Sequence, residues 1–436
     1  MYGLYGALLR LAWAVVIPYQ FVIDRVTGRP GPRLGERLVL GPAPRTPRPG
    51  GLWVHAVSVG EVRLALTVVA AIRRRWPGGS VHLTTGTETG RALALDAAAR
   101  GAAGAPDGVS ALPLDLPRPM GRLIDRLRPR AIVVIETEIW PNLIRQAAAR
   151  GVPVVIVNGR LAPRTFPRYR AARRLFAAAL ARVGLIAAQT GEDAGRFRAL
   201  GAPAGRVLVT GNLKVDLPAP RADGAAVRRR LGFPPDATVF VAGSTARAET
   251  APVLAAYAAL AAADGTARLV LVPRHPEDVA AAAAALEADG IRYRRWSALD
   301  GTAAADRTAV LVDVIGVLPE VYAAASLAFV GGSLVPRGGQ NLLEPAAVGC
   351  PVLFGPCLDN VRAVADALIA AGGGFRAADG AALTALVLRL AGDPAARRAA
   401  GARAGALVDR ERGALERTLD AAAALLAPGP PPGDRR

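Results

Sequence analysis

Three kinds of residue in this 436-residue chain stand where chemistry can be done: carboxylates just past apolar runs, a solitary lysine, and arginines or glycine pairs at the ends of further runs. The run Trp53-Val54-His55-Ala56-Val57-Ser58-Val59-Gly60-Glu61 reads as a strand that turns at Gly60 into a helix beginning near Glu61. A carboxylate there can take a proton from a hydroxyl as general base. It can also do no more than complement the helix dipole, which lowers its pKa unless burial offsets the effect. Glu136 and Glu138 follow the apolar run Ala131–Ile135. Two carboxylates so placed are costly unless they bind something or meet a cation. One of them can instead cap the helix opening near Pro141, and Glu136 is the nearer to the strand end.

Lys214 is the only lysine among 54 basic residues, in the segment Gly211-Asn212-Leu213-Lys214-Val215-Asp216. An ammonium is a compact point charge and a guanidinium a wide fork, so a tight site that needs the first does not accept the second. The plain alternative is a surface lysine that survived by chance. In the second half, Pro273-Arg274-His275-Pro276 follows an apolar run and offers a guanidinium to a phosphate. Farther on, Gly331-Gly332-Ser333-Leu334 and Gly338-Gly339-Gln340-Asn341-Leu342-Leu343-Glu344-Pro345 put two glycine pairs before a predicted helix. Backbone amides there can cradle a phosphate and Glu344 can accept ribose hydroxyls, although tight turns need glycine too. Neither a GxGxxG fingerprint nor a Walker loop is present, which argues against dehydrogenases and P-loop NTPases. No Asp-X-Asp pair occurs, and the three histidines lack metal-ligand spacing. The expectation is chemistry without a metal or other cofactor, a leaving group being neutralised by Lys214, Arg274 and helix N-termini.

These residues need a frame. Short β-branched runs alternate with long alanine- and leucine-rich stretches. The predicted strands are Leu52–Val57, Val81–Thr84, Ala131–Ile135, Val152–Val157, Leu185–Ala188 and Val207–Thr210, then Val239–Ala242, Leu269–Val272, Val310–Val312, Leu327–Val330 and Pro351–Phe354. Such alternation predicts an α/β protein with two parallel, doubly wound sheets. Nearly every run ends in a polar or glycine-rich segment, which places the chemistry on the carboxyl rim of each sheet. Two such Rossmann-like halves facing across a cleft make the GT-B architecture, by analogy. The predicted division is a membrane anchor over 1–24, a basic connector over 25–50, an acceptor-binding domain over 51–215, a linker over 216–235, a nucleotide-binding domain over 236–427 and a disordered tail over 428–436. The anchor is read from Leu4 to Ile23, apolar but for Arg10 and Gln20, with Pro18 weakening a clean span. Arg25, Arg29, Arg33, Arg37, Arg45 and Arg48 behind it predict a cytoplasmic placement of the catalytic domains. The formal charge of +19 suits an anionic membrane surface or a phosphorylated substrate, and the 5% aromatic content and dispersed arginines argue against nucleic acid. Cys350 and Cys357 make no disulfide framework.

In order along the chain, HAVSVGE, ETEIWPN, NGRL, TGNLK, AGST, LVPRHPE, FVGGSLV, GGQNLLEP and a GP near Asn360 resemble one family, the 3-deoxy-D-manno-octulosonic acid (Kdo) transferases of lipopolysaccharide synthesis. The resemblance implies a GT-B enzyme anchored at the cytoplasmic side of the inner membrane, with CMP-Kdo as donor and a lipid A precursor of the lipid IVA type as acceptor. It also implies roles. Glu61 matches the family's general base, and Glu136 and Lys214 match positions associated with transition-state stabilisation. Pro273 and Arg274, then Ile315, Gly316 and Val317, then Asn341, Leu342, Leu343 and Glu344 match CMP-binding segments. The chain departs at Val317 and Gln340, where family members often carry Glu and His. Two other readings compete: a GT-B transferase or epimerase acting on a UDP-sugar, and a non-catalytic, membrane-tethered basic binding protein.

Overall fold

The computed structural model describes residues 2–27, 34–41, 49–217, 223–302 and 308–428. The chain divides into two compact units, Met1–Leu217 together with Gly413–Arg436, and Pro218–Arg412. The first is built on β1 (Leu52–Ala56), β2 (Val81–Thr85), β3 (Gly108–Ala111), β4 (Ala131–Ile135), β5 (Val154–Gly159), β6 (Leu185–Ala188) and β7 (Val207–Val209). These pair in parallel in the order β3-β2-β1-β4-β5-β6-β7. The second unit contains β8 (Val239–Thr245), β9 (Arg268–Pro273), β10 (Tyr293–Arg295), β11 (Ala309–Leu311), β12 (Leu327–Val330), β13 (Val352–Phe354) and β14 (Gly374–Arg376). Its parallel order is β10-β11-β9-β8-β12-β13-β14. Helices on both faces bury the central strands completely, which is why Ala131–Ile135 and Leu327–Val330 are uninterrupted apolar runs. In each sheet the winding reverses once, between β1 and β4 and between β8 and β12, and such switch points open a crevice at the carboxyl ends.

All eleven expected strands are present, ten within a residue or two and Val239–Ala242 extended by three residues to Thr245. Three strands were not expected, Gly108–Ala111, Tyr293–Arg295 and Gly374–Arg376, and each is the outermost of its sheet. The expected second domain, 236–427, also ends sooner. Its final helix, Ala414–Leu426, packs in the first unit, where Leu415, Leu419, Ala422 and Leu426 join Val54, Ala56, Val62 and Leu213 in one core. Of the expected linker over 216–235, Asp216 closes a 3-10 turn of the first unit and Gly224–Leu231 is a helix of the second. Residues 218–222 lie outside the described residues, as do 429–436 of the expected tail and, in the basic connector, Arg29, Arg33, Arg45 and Arg48.

The membrane anchor requires correction. Tyr2–Thr27 is one helix running through Pro18, yet among the described residues no helix is long and apolar enough to cross a membrane. The first turns of Tyr2–Thr27 are docked on the protein: Tyr5 donates to the buried Asp115 carboxylate at 2.9 Å, and the Arg145 guanidinium lies 5.1 Å from the Tyr2 ring centre. The expected inner-membrane localisation, with catalytic domains held at the cytoplasmic side, rested on that span and falls with it.

Candidate active site

Four strand ends of the first unit bring together the residues singled out in its sequence. After β1 the chain passes Val57 and Ser58 into the helix Val59–Arg75, with Ser58 as its N-cap. Glu61 closes a reciprocal cap: its backbone N–H reaches Ser58 Oγ at 3.4 Å, Ser58 Oγ donates to one carboxylate oxygen at 3.0 Å, and the Val57 N–H donates to the other at 2.8 Å. Glu61 therefore does cap its helix. Burial nevertheless raises its pKa, outweighing the Val57 amide, and Glu136 adds repulsion. A carboxylate with a raised pKa is the stronger base.

Glu136 stands immediately after β4 with φ of 63°, a left-handed conformation that non-glycine residues adopt at a cost. Its N–H is held by Val157 O at 2.9 Å, and its carboxylate meets Lys214 Nζ at 2.7 Å. Each side chain is largely but not wholly buried, so the ion pair is open to a visiting group on one side. Asn158, at the end of β5 and also left-handed with φ of 56°, donates to the same Glu136 oxygen at 3.4 Å and accepts the Leu213 N–H at 2.9 Å. Lys214 rides on the 3-10 turn Leu213–Asp216, capped by Asn212, whose side-chain oxygen takes the Lys214 N–H at 3.0 Å.

Glu138 is the group the sequence ranked too low. Burial pushes its carboxyl up to about 7, with Glu61 and Glu136 adding like-charge repulsion. The first unit thus collects three carboxyls and one cation at adjoining strand ends, one acid being poised to hold a proton near neutrality. His55 is not among the proton carriers. It is fully buried, its Nδ1 lies 3.0 Å from Thr84 Oγ1, and burial lowers its pKa to about 4.

In the second unit the expected donor-side residues follow strands or, for Asn341–Glu344, open the helix Leu343–Ala347. Pro273 ends β9, and the exposed Arg274 follows, its N–H bound to Thr245 O at 2.9 Å. Ile315, Gly316 and Val317 form the loop after β11, where Ile315 is 71% exposed and Gly316 has φ of 98°. Asn341 donates to Glu344 at 3.1 Å and accepts the Leu343 N–H at 3.2 Å. Leu342 and Leu343 are buried, so only their backbones are available to a ligand.

One expectation about this unit does not hold. The amides after the first glycine pair are not free to cradle a phosphate, because the fully buried Glu249 takes them. Its carboxylate accepts from Ala246, Gly332, Ser333 and Leu334 N–H at 2.7–3.0 Å. A Cβ on Gly331 would stand 2.5 Å from Ser244 O and 2.8 Å from Glu249, so the glycine serves this internal contact. Little in the local sequence signalled Glu249, since three of its four partners lie 83 to 85 residues away.

Comparison with known proteins agrees with the geometry. The family model for 3-deoxy-D-manno-octulosonic-acid transferase matches residues 32–217. The 3-deoxy-D-manno-octulosonic acid transferase of Bordetella pertussis is 38% identical over 397 residues, 89% of this chain and 90% of that protein. The enzyme of the same name from Haemophilus influenzae is 33% identical over 423 residues, 95% of this chain and 96% of that protein. Among solved structures, UDP-GlcNAc 2-epimerase from Neisseria meningitidis is similar with a TM-score of 0.54 and 13% identity, over 83% of this chain and 98% of that one. That likeness shows the fold alone: two α/β domains of the kind glycosyltransferases use, each on a parallel sheet. Identity at this level, along nearly the full length of both chains, settles the matter of kinship: the chain belongs to the 3-deoxy-D-manno-octulosonic acid transferase family of glycosyltransferases.

Proposed function

We propose that the protein transfers Kdo from CMP-Kdo to a hydroxyl of a lipid A precursor, with Glu61 as general base. The observation that carries this reading is the grouping of Glu61, Glu136, Glu138 and Lys214 at the strand ends of the first unit. The acceptor hydroxyl gives its proton to the Glu61 carboxylate as its oxygen bonds to the anomeric carbon of Kdo. The bond from that carbon to the phosphate oxygen breaks, and CMP leaves with the electron pair. Lys214, paired with Glu136, supplies a compact positive charge as negative charge develops. In the second unit Arg274 offers its guanidinium to the donor phosphate, the backbone of 315–317 and 341–343 contacts the nucleotide, and Glu344 takes ribose hydroxyls.

An anionic lipid surface is the proposed meeting place with the acceptor. The net charge of +19 favours it, and Leu8, Leu11, Val15 and Tyr19 form an exposed stripe along the N-terminal helix. This is contact at a surface, since among the described residues no helix is long and apolar enough to cross. The test is incubation with CMP-Kdo and tetraacylated precursor, followed by mass spectrometry of the lipid. A mass increase of one or more Kdo units is expected. Product from a UDP-sugar instead, or near-normal turnover by Glu61→Gln, overturns the assignment.

A further inference from the structure

The segment that carries Lys214 is clamped by a part of the chain made some two hundred residues later. Asp216, two positions past Lys214, accepts the Gly413 N–H at 2.8 Å on one oxygen and the Leu415 N–H at 2.6 Å on the other. These are the cap and first-turn amides of the helix Ala414–Leu426, where a carboxylate is favoured by both hydrogen bonding and the helix dipole. At the other end of the segment, Arg417 Nε donates to Thr210 O at 3.0 Å and the Thr418 and Thr210 hydroxyls meet at 2.8 Å. Between them Gly211 has φ of 99°, and a Cβ there would stand 3.0 Å from the Arg417 guanidinium and 3.1 Å from Ala414 Cβ. The chain therefore comes as close to this helix as a glycine allows.

We infer that the helix Ala414–Leu426 is a positioning element for Lys214, with Asp216 as the positioning residue that couples the two. The 3-10 turn is only four residues long, so Lys214 cannot move independently of Asp216. Three anchors fix it: Asn158 on Leu213, Asn212 on Lys214 itself, and the helix on Asp216. Loss of the helix contact leaves the turn held at its start and loose at its end, and Nζ loses its set distance to Glu136. The functional half of this inference rests on the proposed role of Lys214 in transfer; the positional half does not.

The unique lysine makes the positional half measurable without activity. With one ε-amine in the protein, acylation by an amine-selective reagent, located by mass spectrometry, reports Lys214 alone. Asp216→Asn is expected to raise its labelling rate about tenfold, because an amine released from its carboxylate partner reacts faster. In the same variant kcat is expected to fall about tenfold to a hundredfold while KM for CMP-Kdo stays within about twofold, since donor contacts lie in the second unit and misplacement of about 1 Å costs that much. If labelling and kcat are unchanged and only the melting temperature falls, the helix is structural and the inference is wrong. Raised labelling in a protein that makes no Kdo product upholds the clamp and sinks the transfer reading instead. Thr418→Val keeps the buried volume while removing the Thr210 contact, and is the second variant should Asp216→Asn not fold; it is expected to move the same two readouts in the same directions.

Discussion

The two units place their carboxylates at the same topological position and use them in opposite ways. In the first, Glu61, Glu136 and Glu138 crowd together half-buried, and Lys214 pairs with one of them. In the second, Glu249 is wholly buried and satisfied by four backbone amides. Each unit also has a register shift and a left-handed non-glycine residue at a strand end, Asn158 in β5 and Ser244 in β8. Beside Asn158 the irregularity aims side chains outward at Glu136 and the Lys214 turn; beside Ser244 it shapes backbone around Glu249. Side chains in the first rim carry crowded charge at a cost to stability, whereas the buried carboxylate of the second is a structural strut.

Substitutions can break that contrast. The largest effect belongs to the strut: Glu249→Ala leaves four buried amides without a partner and is expected to cost about 4 kcal/mol or more in denaturant unfolding, with loss of CMP binding. A loss under about 1 kcal/mol means that water replaces the carboxylate and that the two rims differ less than the geometry says. Next comes Glu61→Gln, expected to lower kcat by about 10²–10⁴-fold while CMP binding, measured by calorimetry, is retained. Lys214→Arg keeps charge and changes shape; a loss of about ten- to a hundredfold in kcat marks a site that needs a compact cation, and full activity marks one that needs only a positive charge. The smallest effect is one of pH. Glu138 titrates near 7 in the folded protein against 4.5 for the free side chain, so between these values the unfolded chain releases a proton that the folded one keeps. Its contribution to stability therefore declines as pH rises from about 4.5 to about 7, and Glu138→Gln is expected to flatten this slope and stabilise the protein at pH 8 by on the order of 1–2 kcal/mol. A variant less stable at pH 8 shows that Glu138 is a strut as well.

Legibility in the sequence divides along the same line. Central strands are β-branched because both their faces are covered, so runs such as Ala131–Ile135 announce themselves. Edge strands such as Tyr293–Arg295 have one hydrogen-bonding side free and need no apolar run, which is why all three were overlooked. Glu136 stood out because it directly follows a strand, Glu61 because it opens a helix, and Lys214 because the chain has no other lysine. Glu138 was undervalued since its pKa depends on burial, and Glu249, Asn158 and Asp216 were invisible since all or most of their partners are distant in the chain. The expected membrane span differs in kind: twenty mostly apolar positions satisfy a length rule, yet among the described residues no helix is long and apolar enough to cross, and the first turns dock on the protein.

The return of the helix Ala414–Leu426 to the first unit has a consequence for biosynthesis. The second unit, Pro218–Arg412, is one continuous stretch and can fold as it leaves the ribosome. The first cannot be finished then, because Leu415, Leu419, Ala422 and Leu426 of its core have yet to be made. A nascent chain that already has its second unit folded still lacks the clamp on Lys214. The order of synthesis thus delays completion of the lysine site until both units exist.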